Sequence, residues 1–277
     1  MGLRISTNLP SINAQKSLSD TQKVISKSFA QLASGSRINQ AADDAAGLSI
    51  SEGMKSQIRS MRQATRNAND GISLLQVAEG GLNETSNIIT RLRELGIQAS
   101  SDTVSDVERG MINKEVQQLT KEVERIAQSV KYGNTHLLNG EAPSFEFQVG
   151  TGNDDFADRL EFDPSNLNAT AGNLDLDGID YSSRDGAREA MEVLDAAQTK
   201  VNGFRAEIGA VQNRMYSTVN NLATSEENLS AANSRIRDTD IASATASLAT
   251  NNILLNASTS VLQQANAAPA QALKLLA

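Results

Sequence analysis

The chain has 277 residues, no Cys, no Trp, one His and a net charge of −8. Thiolate chemistry, disulfides and Cys-based or multi-His metal sites are excluded, and with six Phe and three Tyr the core must be built from Leu, Ile, Val and Ala. Residues 1–42 carry +4 and residues 241–277 carry +1, which leaves −13 on the middle of the chain, a balance that argues against nucleic acid as a partner.

The first predicted element is a terminal helix over residues 1–42. "MGLRISTNLPSINAQ" has no continuous apolar core and does not read as a secretory signal. Gly2 and Ser6 match the N-myristoylation pattern, which is short enough to match by chance. Leu9, Ile12, Leu18, Ile25, Phe29 and Leu32 fall on a rough helical stripe. Asp43 and Asp44 form a carboxylate pair of the kind used in acid–base chemistry. No His or second acidic cluster lies nearby, so they are expected to cap the next helix and to pair with a basic neighbour such as Arg37.

No Pro occurs between Pro10 and Pro143, which permits long helices. Ala68, Ile72, Leu75, Ala78, Leu82, Thr85, Ile89 and Leu92 recur at spacings of three and four. After a predicted break at "SSDTVSD", Ile112, Val116, Leu119, Val123, Ile126 and Val130 alternate four and three. Residues 43–140 therefore read as the first half of a long-helix rod. His136, in "YGNTHLLNG", has no Ser in an elbow-like Gly context to activate, and a turn or packing role is expected.

Residues 141–180 read as a short β segment. Phe145, Phe147 and Val149 alternate on one face, as do Leu160 and Phe162, and Gly150, Gly152, Asn153 and Pro164 punctuate them. "NLDLDGID" offers Asp175, Asp177 and Asp180 but lacks the further ligand of a calcium loop, so a solvated acidic loop is expected. Residues 181–238 return to helix. Met191, Leu194, Gln198, Val201, Phe204, Ile208, Val211, Met215, Thr218, Leu222, Ser225, Leu229, Ala232 and Ile236 make a heptad seam. A helix from about Arg184 to Ile236 would run roughly 80 Å, against roughly 40 Å across a compact domain of this size.

Residues 239–277 close the chain, with no charged side chain from Ile241 to Leu273. Ile241, Leu248, Leu255, Leu262, Leu273 and Leu276 form its apolar stripe. The expected fold is mainly α, an elongated coiled-coil hairpin with a small central β segment and its N- and C-terminal helices paired. Two such terminal helices alone bury too little surface to offset their ordering entropy. Uncharged Asn, Gln, Ser and Thr can be buried against identical copies without stranding a charge. The expectation is self-assembly through both terminal stripes, with no catalytic, metal or cofactor site.

The motifs then become specific. "SGSRINQAADDAAGLSI", "RNANDGISLLQ", "LGIQASS", "IGAVQNRM" and "TSVLQQANAAPAQALKLL" occur in this order. Over residues 1–140 and 182–277 the chain resembles bacterial flagellin, of a minimal type, because about forty residues stand where many flagellins insert outer domains. The resemblance implies a secreted subunit of the extracellular filament, sheathed or bare, that polymerises with itself for swimming motility. It further implies an export apparatus, an export chaperone, and cap and junction proteins as partners. It also implies a contact for a host innate immune receptor at Arg91, Leu95, Gln98 and Glu115, positions that equally suit packing between subunits. The alternative reading is a hook–filament junction protein. A filament-borne metalloprotease would need an inserted domain that the forty-residue centre does not supply.

Overall fold

The computed structural model describes residues 7–276, with the side chains of residues 268–276 outside the description. Gly2 and Ser6, and the side chains of Leu273 and Leu276, therefore lie outside the described set. The elements in order are α1 (Leu9–Ser34), α2 (Ala45–Ala99), α3 (Asp106–Ser129), β1 (Lys131–Tyr132), β2 (Thr135–His136), β3 (Phe145–Gln148), β4 (Arg159–Phe162), a 3-10 turn (Pro164–Asn166), α4 (Arg184–Arg237) and α5 (Ile241–Leu276). They make two compact units, residues 1–56 with 228–277, and residues 57–227.

Each helix starts where the sequence offers an acceptor for its first free amides. Asn8 accepts from the Ser11 amide at 3.2 Å and Pro10 sits in the first turn of α1. Asp44 accepts from the Gly47 amide at 2.8 Å, opening α2. Ser105 and Glu108 form a reciprocal capping box at α3. Ser183 serves α4 and Asp240 serves α5. The first helix stops at Gly35, whose φ of 66° lies in the left-handed region.

In the unit of residues 57–227, the predicted seam is the core. Ala68, Ile72, Leu75, Ala78, Leu82, Thr85, Ile89 and Leu92 of α2 are all buried, as are Val116, Val123 and Ile126 of α3. On α4 the seam is asymmetric. Leu194, Val201, Ile208, Met215 and Leu222, seven apart, are buried, whereas the intervening Gln198, Phe204, Val211 and Thr218 are half-buried. Polar links at the border fix α2 and α4 antiparallel. They are Arg62–Glu226 at 2.6 Å, Glu79–Gln212 at 3.0 Å, Ser86–Gln198 at 2.8 Å and Arg93–Asp195 at 2.7 Å. These pairs step in opposite directions along the two helices.

The strands pair as predicted, with β3 and β4 antiparallel, Phe145 opposite Phe162 and Phe147 opposite Leu160. The same-face residues of the two strands thus meet across the ladder, and Leu160 and Phe162 are buried. A second hairpin, β1–β2, turns at Gly133 (φ 61°) and holds His136. The carboxylates of the acidic loop, Asp175, Asp177 and Asp180, are exposed as expected, but the apolar residues between them are not. Leu174, Leu176 and Ile179 are buried in the helical core, while Asp175 reaches Lys200 at 2.9 Å and Asp180 accepts from the Ser182 amide. Alternation, rather than net charge, governs that segment, because one side of it is covered by α3, through Asn113, Gln117 and Glu124, and by α4, through Lys200.

Candidate self-assembly interface

The unit of residues 1–56 and 228–277 is built around α1 and α5, which run antiparallel. Asn8 donates to the Ala265 carbonyl at 2.9 Å, and Ser11 donates to Asn266 at 2.8 Å. Near the other end, the Arg37 amide donates to the Arg237 carbonyl at 2.6 Å and the Thr239 amide to the Gly35 carbonyl at 2.9 Å. Arg37 also donates through its guanidinium to the Ile236 carbonyl at 2.8 Å. It is therefore not the partner of Asp43. Lys27 is that partner, at 2.8 Å, because α1 brings it alongside the turn that leads into α2. The Lys27 ammonium, with the Gln40 and Asn39 amides, holds the Asp43 carboxyl below the usual carboxylate range.

The inward face of α1 is Ser11, Ala14, Leu18, Thr21, Ile25, Ser28 and Leu32, buried or half-buried at alternating spacings of three and four. The inward face of α5 is Ala244, Leu248, Asn251, Leu255, Ser258, Leu262 and Ala265 on the same pattern. Each helix thus presents one Leu/Ile row and one row of small or polar residues. Leu18, Ile25, Leu32, Leu248, Leu255 and Leu262 of the predicted stripes are brought together here. Leu9, Ile12, Phe29 and Ile241 are not, and they stay exposed with Val24, Ile253, Leu254 and Val261. Inward positions taken by Ser, Thr and Ala leave these larger side chains on the outside. A surface this apolar, on a helix pair whose second member has no charged residue before Lys274, is suited to burial against further protein.

One contact explains a sequence oddity. The last helix continues through Pro269, whose ring nitrogen carries no hydrogen, so the Ala265 carbonyl four residues earlier loses its helical donor. The Asn8 side chain supplies the replacement. Asn8→Ala is expected to cost about 1–2 kcal/mol, the loss of a cap and of a carbonyl's partner together. In a Pro269→Ala background, where the helix can satisfy that carbonyl itself, the same change should cost only the cap. A double-mutant cycle on the melting temperature reads the difference.

The second candidate cluster lies in the other unit. Arg91 bridges Glu94 and Glu115, at 3.0 Å each, and both carboxylates raise its pKa. Arg91, Gln98 and Glu115 are exposed. Leu95 is buried in the core, so it packs within its own chain and does not join the other three at the surface. A residue with no sequence signal is Tyr181. Its ring is fully buried, its hydroxyl donates to the Leu92 carbonyl at 2.9 Å, and burial pushes its pKa up to about 12. Among the described residues no helix is long and apolar enough to cross a membrane.

Comparison with known proteins identifies the family. Residues 5–142 match the bacterial flagellin N-terminal helical region and residues 191–276 the bacterial flagellin C-terminal helical region. The chain is 39% identical over 272 residues to a flagellin of Halalkalibacterium halodurans, covering 98% of this chain and 99% of that one. Identity is 37% over 303 residues to a flagellin of Bacillus subtilis, covering 99% and 100%. It is 38% over 287 residues to a flagellin of Treponema pallidum, covering 98% and 99%. Matched at both helical regions and along nearly its whole length, the chain belongs to the bacterial flagellin family.

Proposed function

We propose that this chain is the structural subunit of a bacterial flagellar filament, joined to copies of itself through the outer faces of α1 and α5. The observation that carries this reading is the exposure of Leu9, Ile12, Phe29, Ile253, Leu254 and Val261 on two paired helices, the second of which has no charged residue before Lys274. Such a surface is costly in water and inexpensive against an identical neighbour. Nothing in the role asks for catalysis. The subunit acts outside the cell, after passing the export apparatus with a chaperone, and is added beneath a cap above the junction proteins. A chain without Cys suits passage as an unfolded thread. A host innate receptor would engage Arg91, Gln98 and Glu115 on the free subunit, since these are exposed and Leu95 is not.

Salt-induced polymerisation of the purified chain tests the reading. Filaments should be visible by electron microscopy, and ellipticity per residue should rise on assembly as α1 and α5 gain order. A chain that stays monomeric at high concentration and high salt, or polymerises with no change in ellipticity, contradicts it.

A further inference from the structure

The strongest unassigned surface is a pair of features within residues 57–227. The loop between β3 and β4 carries Phe156, which is 93% exposed, the most exposed large apolar side chain described. The loop is held rigidly enough to present it. Asp158 accepts from the Gly152 and Asp154 amides at 3.0 Å each, and Asp154 accepts from the Phe156 and Ala157 amides at 2.9 and 2.8 Å. A Cβ at Gly150 would collide with the Asp158 carboxylate and come within 2.7 Å of its Cα, so the loop closes tightly upon itself. Asp154 and Asp155 immediately precede Phe156 in the chain and are both exposed, Asp155 although it pairs with Arg159. The loop is thus an aromatic knob with an acidic collar.

The complementary feature is the outward stripe of α3. Opposite the buried Arg109, Val116 and Val123, the helix presents Val107, Met111, Lys114, Gln118 and Lys121. Val107 is 71% exposed and Met111 64% exposed. Lys114 and Lys121 make no ion pair among the described residues. The stripe is apolar at its start and basic beyond, and Glu115, an exposed carboxylate next to it, is paired with Arg91. Val107 and Met111 offer a soft platform for a ring, and Lys114, the next residue along, offers a cation to the collar.

Knob and platform cannot meet within one molecule. The β3–β4 loop lies beside the start of this unit's share of α2, where Asn67 donates to the Gln148 carbonyl at 2.9 Å and Met61 faces Gly150 and Ala157 across a shallow hollow. The first turn of α3 lies at the far end of α2, where Arg109 donates to the Ala99 carbonyl at 2.8 Å. From Met61 to Ala99 the helix climbs about 55 Å. Two complementary patches so far apart on one subunit make a head-to-tail contact that does not close, the kind that generates open filaments. We propose that Phe156 of one copy seats on Val107 and Met111 of the next, with Asp154 and Asp155 facing Lys114. This rests on the filament reading above and assigns one of its contacts to particular side chains.

A chain without native Cys allows a direct test. The double variant Phe156→Cys/Met111→Cys is polymerised under reducing conditions, then oxidised with copper phenanthroline in air and run on a denaturing gel. A ladder of multimers is expected, because Cys Cα atoms must approach to about 6 Å to be bridged and only a neighbouring copy can bring them there. Each single variant should stay monomeric. Filaments that form but give no ladder overturn the contact while leaving the filament reading standing. A wild-type chain that does not polymerise at all overturns both. Should the double variant not assemble, Phe156→Ala decides. The critical concentration for polymerisation should rise about tenfold or more with the monomer's melting temperature unchanged, and an unaltered critical concentration counts against the contact.

Discussion

Removing residues 241–277 is expected to leave a soluble monomer that does not polymerise under any salt condition that assembles the full chain. Two losses act together. The outer apolar side chains Ile253, Leu254 and Val261 go with the deleted helix. The inner row of α1, with Ser11, Ala14 and Ser28 as its buried members, loses its cover. A lone helix of 26 residues with Ser and Thr inward has little reason to stay folded, so the remaining outer residues Leu9, Ile12 and Phe29 lose their fixed arrangement too. Sedimentation, electron microscopy and far-ultraviolet ellipticity read the outcome. The truncated protein should stay at monomer size and show no gain in ellipticity when salt or filament seeds are added. Filaments of ordinary appearance from this variant would remove the role assigned to α5.

The largest expected stability effect is at Tyr181. Its ring is buried in the core of the unit of residues 57–227, and its hydroxyl lies against Gly96 of α2, where a Cβ would come within 3.1 Å of it. Tyr181→Ala leaves a cavity the width of a phenol and an unfilled slot over Gly96, and is expected to cost about 3–5 kcal/mol. Tyr181→Phe keeps the packing and loses only the bond to the Leu92 carbonyl, a cost of about 1 kcal/mol. Urea midpoints measure both. The pH dependence separates them further. The folded chain keeps the phenol protonated up to about 12, whereas the unfolded chain releases it near 10. Stability is thus fully present below pH 10 and is lost as pH rises from there to 12. Tyr181→Phe should flatten that decline. If Tyr181→Ala melts with the wild type, the buried position assigned to this ring is wrong.

The helices of the larger unit were legible because burial there follows apolar character. Spacing alone sets the end of α2 at "SSDTVSD" and runs α4 from Arg184 to within one residue of its end. Legibility fails where that link breaks. In α1 the inward row includes Ser11, Thr21 and Ser28, so a search for apolar residues joins Leu9, Ile12 and Phe29, which face outward, to Leu18, Ile25 and Leu32, which face in. The acidic loop misleads in the opposite sense, since its carboxylates mask the alternation that buries Leu174 and Leu176. The strands of β1–β2 are two residues each, too short to leave a period. Tyr181 stands alone between loop and helix, and no pattern announces a single buried ring. Arg91 and Glu115 were named from resemblance, and their ion pair is visible only once α2 and α3 lie side by side.

The paired terminal helices are tied near both extremities, by Ser11 with Asn266 at one and by Arg37 with Arg237 at the other. The stretches between those ties differ in length by only a few residues, so the pair behaves as a matched gauge. Adding one residue to either strand of the gauge would turn its row of inward side chains by about 100° and push one tie out by about 1.5 Å. Length changes in this part of the molecule should therefore arise only as whole seven-residue repeats, matched between the two helices.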